Sequence, residues 1–302
     1  MAYFRNIYAD QNVYLSGQKL RGVQSVNASF DLPYDAIKAA GAGHLSHTIN
    51  SSLEGSFNVN SFIVSAEDPL SGFFESPISG HIRYGTGETP LMLSFHNGCI
   101  NSYSSSCSIG SVPSIDFGIA AYGDIGSGVS TGIEQSNNDP ILVARPGDIY
   151  LEGVSGQYTN RIQSYSYDIS IPRSPIYTLG SGLSPDIFNI DYPIEINLNF
   201  DIHVDDFQVE NMHGLLCNQP KNDISITLSG CGANTEDRIR KFIAPHPLFL
   251  GIDQSSSIEE QQSVTLKYKS YVNDVRELKH LIGGGFVFIH VETVGMGAVT
   301  VV

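Results

Sequence analysis

One pattern occurs twice in this chain. VQSVNASFDLPYDAIKAAGAG, beginning at Val23, returns as IQSYSYDISIPRSPIYTLGSG, beginning at Ile162. Gln24/Gln163, Ser25/Ser164, Pro33/Pro172, Ile37/Ile176, Gly41/Gly180 and Gly43/Gly182 coincide without a gap at one offset of 139 residues. Average residue usage gives roughly one or two identities over such a window. A duplication therefore governs every later fold argument: what one half can form, the other must also be able to form.

The register extends on both sides. VYLSG at Val13 resembles IYLEG at Ile149, and LEGSFNVN at Leu53 resembles IEINLNFD at Ile194, matching Glu54/Glu195 and Asn58/Asn199. SSCSIGSVPSIDFGIAAYGD from Ser105 answers QSSSIEEQQSVTLKYKSYVN from Gln254, with Ser108/Ser257, Ile109/Ile258, Ser114/Ser263 and Tyr122/Tyr271 shared. The offset has drifted to 149 by then, which surface-loop insertions between Asp223 and Pro247 would explain at small thermodynamic cost. Residues 1–125 are read as the first domain, 126–148, rich in Gly, Ser and Asn, as a linker, and 149–302 as the second domain with a C-terminal tail.

The length of 302 residues agrees with about two domains, each able to bury a core. Only 16% of residues are charged, while Gly reaches 30 and Tyr and Phe 15 each, the profile of a turn-rich β protein. A net charge of −15 repels nucleic-acid phosphate. Cys99, Cys107, Cys217 and Cys231 form no CxxC pair, so reduced, buried thiols are expected rather than zinc or a disulfide framework. MAYFRNIYADQ lacks the regions of a signal peptide, and no apolar run approaches the ~20 residues that span a bilayer. Folding in a cytoplasm, with no membrane insertion, is the expectation.

Alternation marks the strands. Ser164, Ser166, Asp168 and Ser170 oppose Tyr165, Tyr167, Ile169 and Ile171, and in the first copy Ser25, Asn27, Ser29 and Asp31 oppose Val26, Ala28, Phe30 and Leu32. In both copies the apolar face is expected to be buried. After the shared proline, Ile37 or Ile176 would plug the core and the following glycine take positive φ. From Pro193 to Asp205, Ile194, Ile196, Leu198, Phe200, Ile202 and Val204 alternate with Glu195, Asn197, Asn199, Asp201, His203 and Asp205. Glu54, Ser56, Asn58 and Asn60 are their first-copy counterparts. Ser114 to Tyr122 and Ser263 to Tyr271 supply a further strand per half. One short helix is expected over Asp274 to Ile282, capped by Asp274 and ended by Gly283.

No residue set points to catalysis or to a cofactor. None of the nine histidines sits in HExxH, and His203 with Asp205 and Asp206 reads as a solvated strand end because consecutive Asp residues point to opposite sides. There is no GxSxG elbow, P-loop or dinucleotide fingerprint. Paired carboxylates for glycoside hydrolysis remain open. Against them stand the missing Trp and the few aromatic residues on the polar strand faces, since sugar sites need stacking surfaces.

RIQSYSYDISIPRSPIYTLGSG followed by YPIEINLNFDIHVDDF resembles the tail tube, or major tail, proteins of tailed bacteriophages. The likeness covers the core strands of both repeats. It implies a mainly β fold of two tandem sandwich- or barrel-like domains with short helices, in which rings of six domains stack into a hollow tube for genome ejection. With two domains per chain the ring would be a homotrimer of pseudo-hexameric outline. Its partners would be further copies, terminator, tip or sheath proteins, and double-stranded DNA passing without specific binding. The protein would reside in the virion tail after assembly in the host cytoplasm.

A lumen offering few cations suits moving DNA, because repeated phosphate contacts would hold the strand. Asn27, Asp31, Glu54, Asn58, Ser166, Asp168, Glu195, Asn197, Asn199 and Asp201 are the candidate lumen-facing residues. The pattern alone is equally compatible with the outward face of an ordinary sandwich. Met1 to Gln11, Gly126 to Asp139, Ala233 to Pro247 and the C-terminal tail are candidate stacking arms. Some features depart from the family: Tyr34 replaces Arg173 in the first copy, and DAIKAAGAGHLSH is more helical in composition. Lys267 and Lys269 are awkward in a DNA channel and are expected to face outward or to meet an acidic neighbour at a subunit boundary. A tail-tip, baseplate or receptor-binding β protein is the second reading, and a carbohydrate-active enzyme the third.

Overall fold

Strands form wherever the sequence alternates, and also at places where the alternation is less obvious. The computed structural model describes residues 11–31, 34–37, 47–50, 53–64, 70, 72–75, 77–85, 91–128, 144–152, 162–180, 184–203, 223–230, 238–255 and 263–283. In the first half these form β1 (Gln11–Leu15), β2 (Gln18–Lys19), β3 (Val23–Asp31), β4 (Tyr34–Ile37), β5 (His47–Asn50), β6 (Glu54–Phe62), β7 (Ile78–Tyr84), β8 (Leu91–Ser108) and β9 (Ser114–Gly126). The second half gives β10 (Ala144–Glu152), β11 (Ile162–Ser170), β12 (Arg173–Ile176), β13 (Ile187–Ile190), β14 (Ile194–His203), β15 (Ile224–Gly230), β16 (Arg238–Ala244), β17 (Leu248–Ser255), β18 (Ser263–Val272), α1 (Val275–Leu281) and β19 (Ile282–Gly283). The protein is mainly β.

Both halves contribute to one antiparallel sheet. Its central path runs β3-β6-β9-β8-β11-β14-β18-β17. β8 has 18 residues and serves two neighbours along one edge: its first part pairs with β7, its last seven residues with β11, while β9 runs along the other edge. β7 leads to β1 and β2. A second sheet, β10-β15-β16-β19, is paired separately.

Pairing registers coincide between the halves. Asp31 opposes Glu54 as Ser170 opposes Glu195, and Glu54 opposes Tyr122 as Glu195 opposes Tyr271. Register shifts recur at matched places, Val23/Ser25 with Ile162/Ser164 and Ile100/Ser102 with Phe249/Gly251. The hairpins β4–β5 and β12–β13 also match, Tyr34 opposing Asn50 as Arg173 opposes Ile190. One difference has a clear cause. Where the first half keeps a single β8, the second divides it into β16 and β17 around Pro245 and Pro247, which have no N–H for a ladder.

The core lies between the apolar face of the large sheet and the elements behind it. Tyr167, Ile196, Leu198, Phe200 and Leu266 are fully buried, as are Ile224, Ile226 and Phe242 from the second sheet. Tyr167 ties the layers together: its hydroxyl donates to the Ile243 carbonyl at 2.9 Å, and its ring lies 5.2 Å from that of Phe242. Burial alone drives its phenol pKa upward. Tyr167→Phe should cost about 1–2 kcal/mol, because a buried carbonyl loses a partner; urea unfolding followed by circular dichroism measures it. In the first half Phe95 lies between Gly80 and Gly98, where a Cβ would come within 2.6 Å of its ring at either position.

Several sequence-based expectations are corrected. The apolar side of β3 is buried only in part: Val26 packs against the core, but Ala28 and Phe30 are exposed, because among the described residues β3 pairs only with β6. Ile176 does not plug the core. It stands 44% exposed on the β12–β13 hairpin, although Gly180 does take a φ of +106°. Asp35–Ile37, which open the stretch that is more helical in composition, belong to strand β4 paired with β5.

The stretch Asp223–Pro247 is largely strand, not a loop insertion, since it holds β15 and β16. Only part of the drift falls there: eleven residues separate the paired Leu228 and Arg240, where six separate Tyr84 and Leu91. The expected linker overlaps strand at both ends, through Gly126 of β9 and residues 144–148 of β10. Helix α1 is capped as expected by Asp274, whose carboxylate accepts from the Arg276 N–H at 2.9 Å, but it ends at Ile282 and not at Gly283. Residues 1–10, 129–139, 233–237 and 284–302, from the candidate arms, lie outside the described residues, as do Cys217, Cys231, Asp205 and Asp206.

Candidate functional site

Opposed residues of an antiparallel pair share a face, so the registers trace continuous rows across the sheet. One row runs Ser25, Asn60, Asp116, Ser104, Asp168, Asn197, Lys269. The next runs Asn27, Asn58, Gly118, Ser102, Ser170, Glu195, Tyr271. A third contains Ser114, Ser106, Ser166, Asn199, Lys267 and Gly251. All ten sequence-predicted residues fall on this one face, Asp31 and Glu54 opposing each other at one end and Asp201 extending it beyond Asn199.

The face is hollowed. A depression of about 380 Å³ is lined by Asn27, Asn58, Asn60, Ser104, Asp116 and Asp168, and a second of about 520 Å³ by Ser106, Ser114, Ser166, Asn199 and Asp201. Gly118 lies at the floor of the first: a Cβ there would stand 2.6 Å from Asn101 Oδ1 and Ser102 Oγ, so those side chains would have to move aside.

Hydroxyls and amides hold the carboxylates in place. Asn60 Nδ2 donates to Asp116 Oδ1 at 2.7 Å, and Thr265 Oγ1 to Asp201 Oδ1 at 2.5 Å, while the Ser164 hydroxyl bonds the other Asp201 oxygen. Asn199 Nδ2 donates to Ser166 Oγ at 3.0 Å, and Ser166 Oγ to Asp168 Oδ2 at 2.9 Å. Lys267 and Lys269 also lie on this face, and acidic neighbours stand beside both. Each is matched within the chain, Lys267 with Asp253 and Lys269 with Glu195 at 3.0 Å. The hydrogen bond to Glu195 raises the Lys269 pKa.

The pKa of Asp168 is raised. Burial raises it, and the hydrogen bond from Ser166 opposes the rise. Because the folded-state value exceeds the unfolded one, ionisation of Asp168 works against the fold at neutral pH, and the strain is relieved as pH falls through the raised value. Asp168→Asn should therefore raise the thermal midpoint modestly at pH 7 and remove that part of the gain seen on acidification. Melting curves of both proteins from pH 7 to pH 4 test this, and a lower midpoint for the variant at pH 7 would contradict it.

Sequence reading missed the contribution of β8. Ser102, Ser104 and Ser106 stand at the centre of the face, and their signal was the alternation of NSYSSSCS against buried Tyr103, Ser105 and Cys107. Cys99 and Cys107 are buried free thiols, and burial raises the pKa of both, that of Cys99 to about 11, so neither is poised as a nucleophile. Among the described residues no three His, Cys, Asp or Glu side chains come together as a metal site, and no helix is long and apolar enough to cross a membrane. No family model matches the chain, and no curated protein matches it in sequence.

Proposed function

We propose that the chain is a structural, non-enzymatic virion protein whose copies close into rings and stack as the tail tube of a bacteriophage, the conduit for genome ejection. The observation that carries this reading is the single polar face running across eight strands, backed by a largely buried apolar face and ending, among the described residues, in two unpaired sheet edges. In this reading residues 1–125 and 149–302 are two tandem tube domains, each supplying four strands to the wall, which the matched registers support.

Closure is geometrically reasonable. A row that starts at Asn27 reaches Ser170, whose counterpart in the first half is Asp31, four residues further along. An offset of four residues per four strands corresponds to a strand tilt of about 35°, within the range of closed barrels. Three chains would then enclose a barrel of about 24 strands and about 45 Å across the backbone, against roughly 30 Å for two chains. The three-chain ring leaves room for a hydrated duplex after side chains are counted.

The face suits transit rather than capture. Its amides and hydroxyls are small, its carboxylates repel phosphate, and its two lysines are each matched by an acid. DNA would pass without specific binding, and terminator, tip or sheath proteins would meet the ends or outside of the tube. The test is electron microscopy of the purified protein: stacked rings or tubes support the reading, and a persistently monomeric particle overturns it. A tip or receptor-binding role is the second reading, favoured by the exposed apolar side chains Ile176, Leu179 and Ile187 on or beside the β12–β13 hairpin. Compact trimers with projecting loops would favour it.

A further inference from the structure

The chain contains a worked example of its own joint. β8, the last strand of the first four, pairs with β11, the first strand of the second four, Ser166 opposing Ser106 and Asp168 opposing Ser104. The hydrogen-bonded rungs fall at odd positions of β11, since Ile109 N–H donates to Gln163 O and Ile171 N–H to Asn101 O, both at 2.8 Å. The counterparts of these two strands are β17 and β3, and among the described residues each pairs on one side only. Apolar side chains that a neighbour would cover are left open at both edges. Phe30 on β3 is 39% exposed, and Ile252 on β17 is only half-buried although its counterpart Tyr103 is fully buried.

We infer that β17 of one copy adds antiparallel to β3 of the next in the register of the β8–β11 joint, with Asn27 opposite Ser255, Ala28 opposite Gln254 and Ser29 opposite Asp253. The inference rests on the tube reading and names the contact that closes the ring. Carried over from β11, the rungs through Ala28 and Phe30 are the hydrogen-bonded ones, and those through Asn27 and Ser29 are not. The interface is heterologous, two different edges meeting head to tail, which generates a closed ring and leaves no free edge in the wall. Asp253 already holds Lys267 within its own chain, so the joint adds no unmatched cation to the face.

Cross-linking reads the register directly. Opposed residues lie about 4.5–5.5 Å apart between Cα atoms, within disulfide range. Asn27→Cys with Ser255→Cys, mildly oxidised in assembled tubes, should give a covalent ladder on non-reducing gels that ends at the number of chains in the ring. Asn27→Cys with Gln254→Cys, which point to opposite faces, should give no more cross-link than the parent chain with its native cysteines. Ala28→Pro deletes an N–H directed at the incoming strand and leaves the β6 side intact, so it should abolish tubes while keeping the β circular-dichroism signature; Ala28→Val should assemble normally.

If tubes form but the Gln254 pair cross-links instead, or neither pair does, or Ala28→Pro assembles normally, the joint is wrong and the tube reading stands. If the parent chain forms no rings, both fall.

Discussion

Arginine at Asn58 and Asn199 should convert tubes that ignore DNA into tubes that hold it. Both residues lie on the polar face, Asn58 opposite Gly118 and Asn199 opposite Lys267. The two substitutions add about six cations to each three-chain ring, and stacked rings repeat them along the bore. A protein making six to ten phosphate contacts loses about 10³–10⁵ in affinity between 50 and 200 mM salt. The Asn58→Arg/Asn199→Arg tubes should therefore pellet linear duplex at 50 mM salt and release it at 200 mM, while parent tubes pellet none at either. Covalently closed circular DNA cannot thread a tube and should stay in solution throughout. Equal retention of circles would mean that the polar face looks outward.

Phe200→Ala should cost about 3–5 kcal/mol, the loss of a fully buried ring and the cavity it leaves. Phe200 sits in the centre of the large sheet, edge-on to Tyr268 with centroids 6.1 Å apart, so little can collapse into its space. Phe30→Ala is the informative partner. Phe30 also meets an aromatic ring, Phe57 at 5.7 Å, but lies at the free edge and is partly exposed. Its removal should cost about 1 kcal/mol in the isolated chain, in keeping with partial burial, and should weaken assembly far more than folding. Urea unfolding of dilute protein measures the first quantity and sedimentation of concentrated protein the second. A Phe30 variant that unfolds as readily as the Phe200 variant would show that β3 belongs to a closed core.

How far the fold could be read from the residues depended on whether a strand had one face or two neighbours. The strict alternation of Ile194 to His203 was legible because β14 sits inside the sheet, apolar on the core side and polar on the other. β3 carries the same alternation, yet Ala28 and Phe30 of its apolar side are exposed, because burial there depends on a neighbour that is missing among the described residues and not on the pattern. Ile176 misled for a related reason: an apolar residue after a conformationally free turn fits a core plug and an exposed hairpin equally well.

The site was more legible than the layers around it. All ten residues chosen by alternation fell on one face because a period of two fixes the face once the strand is known. The serines of β8 were missed since a Ser-rich run carries almost no hydrophobic contrast. An acidic neighbour was expected for the lysines of β18, but which acids these are, Asp253 and Glu195, depends on strand pairing that the sequence does not display.

The most direct test of the central claim is a residue-resolution reconstruction of the assembled protein in cross-section. The account expects three chains per ring, with Asn27, Asn58, Asn197 and Asn199 lining a continuous β wall around an open bore. A ring whose bore is lined by other surfaces, with this face turned to the outside, would contradict it.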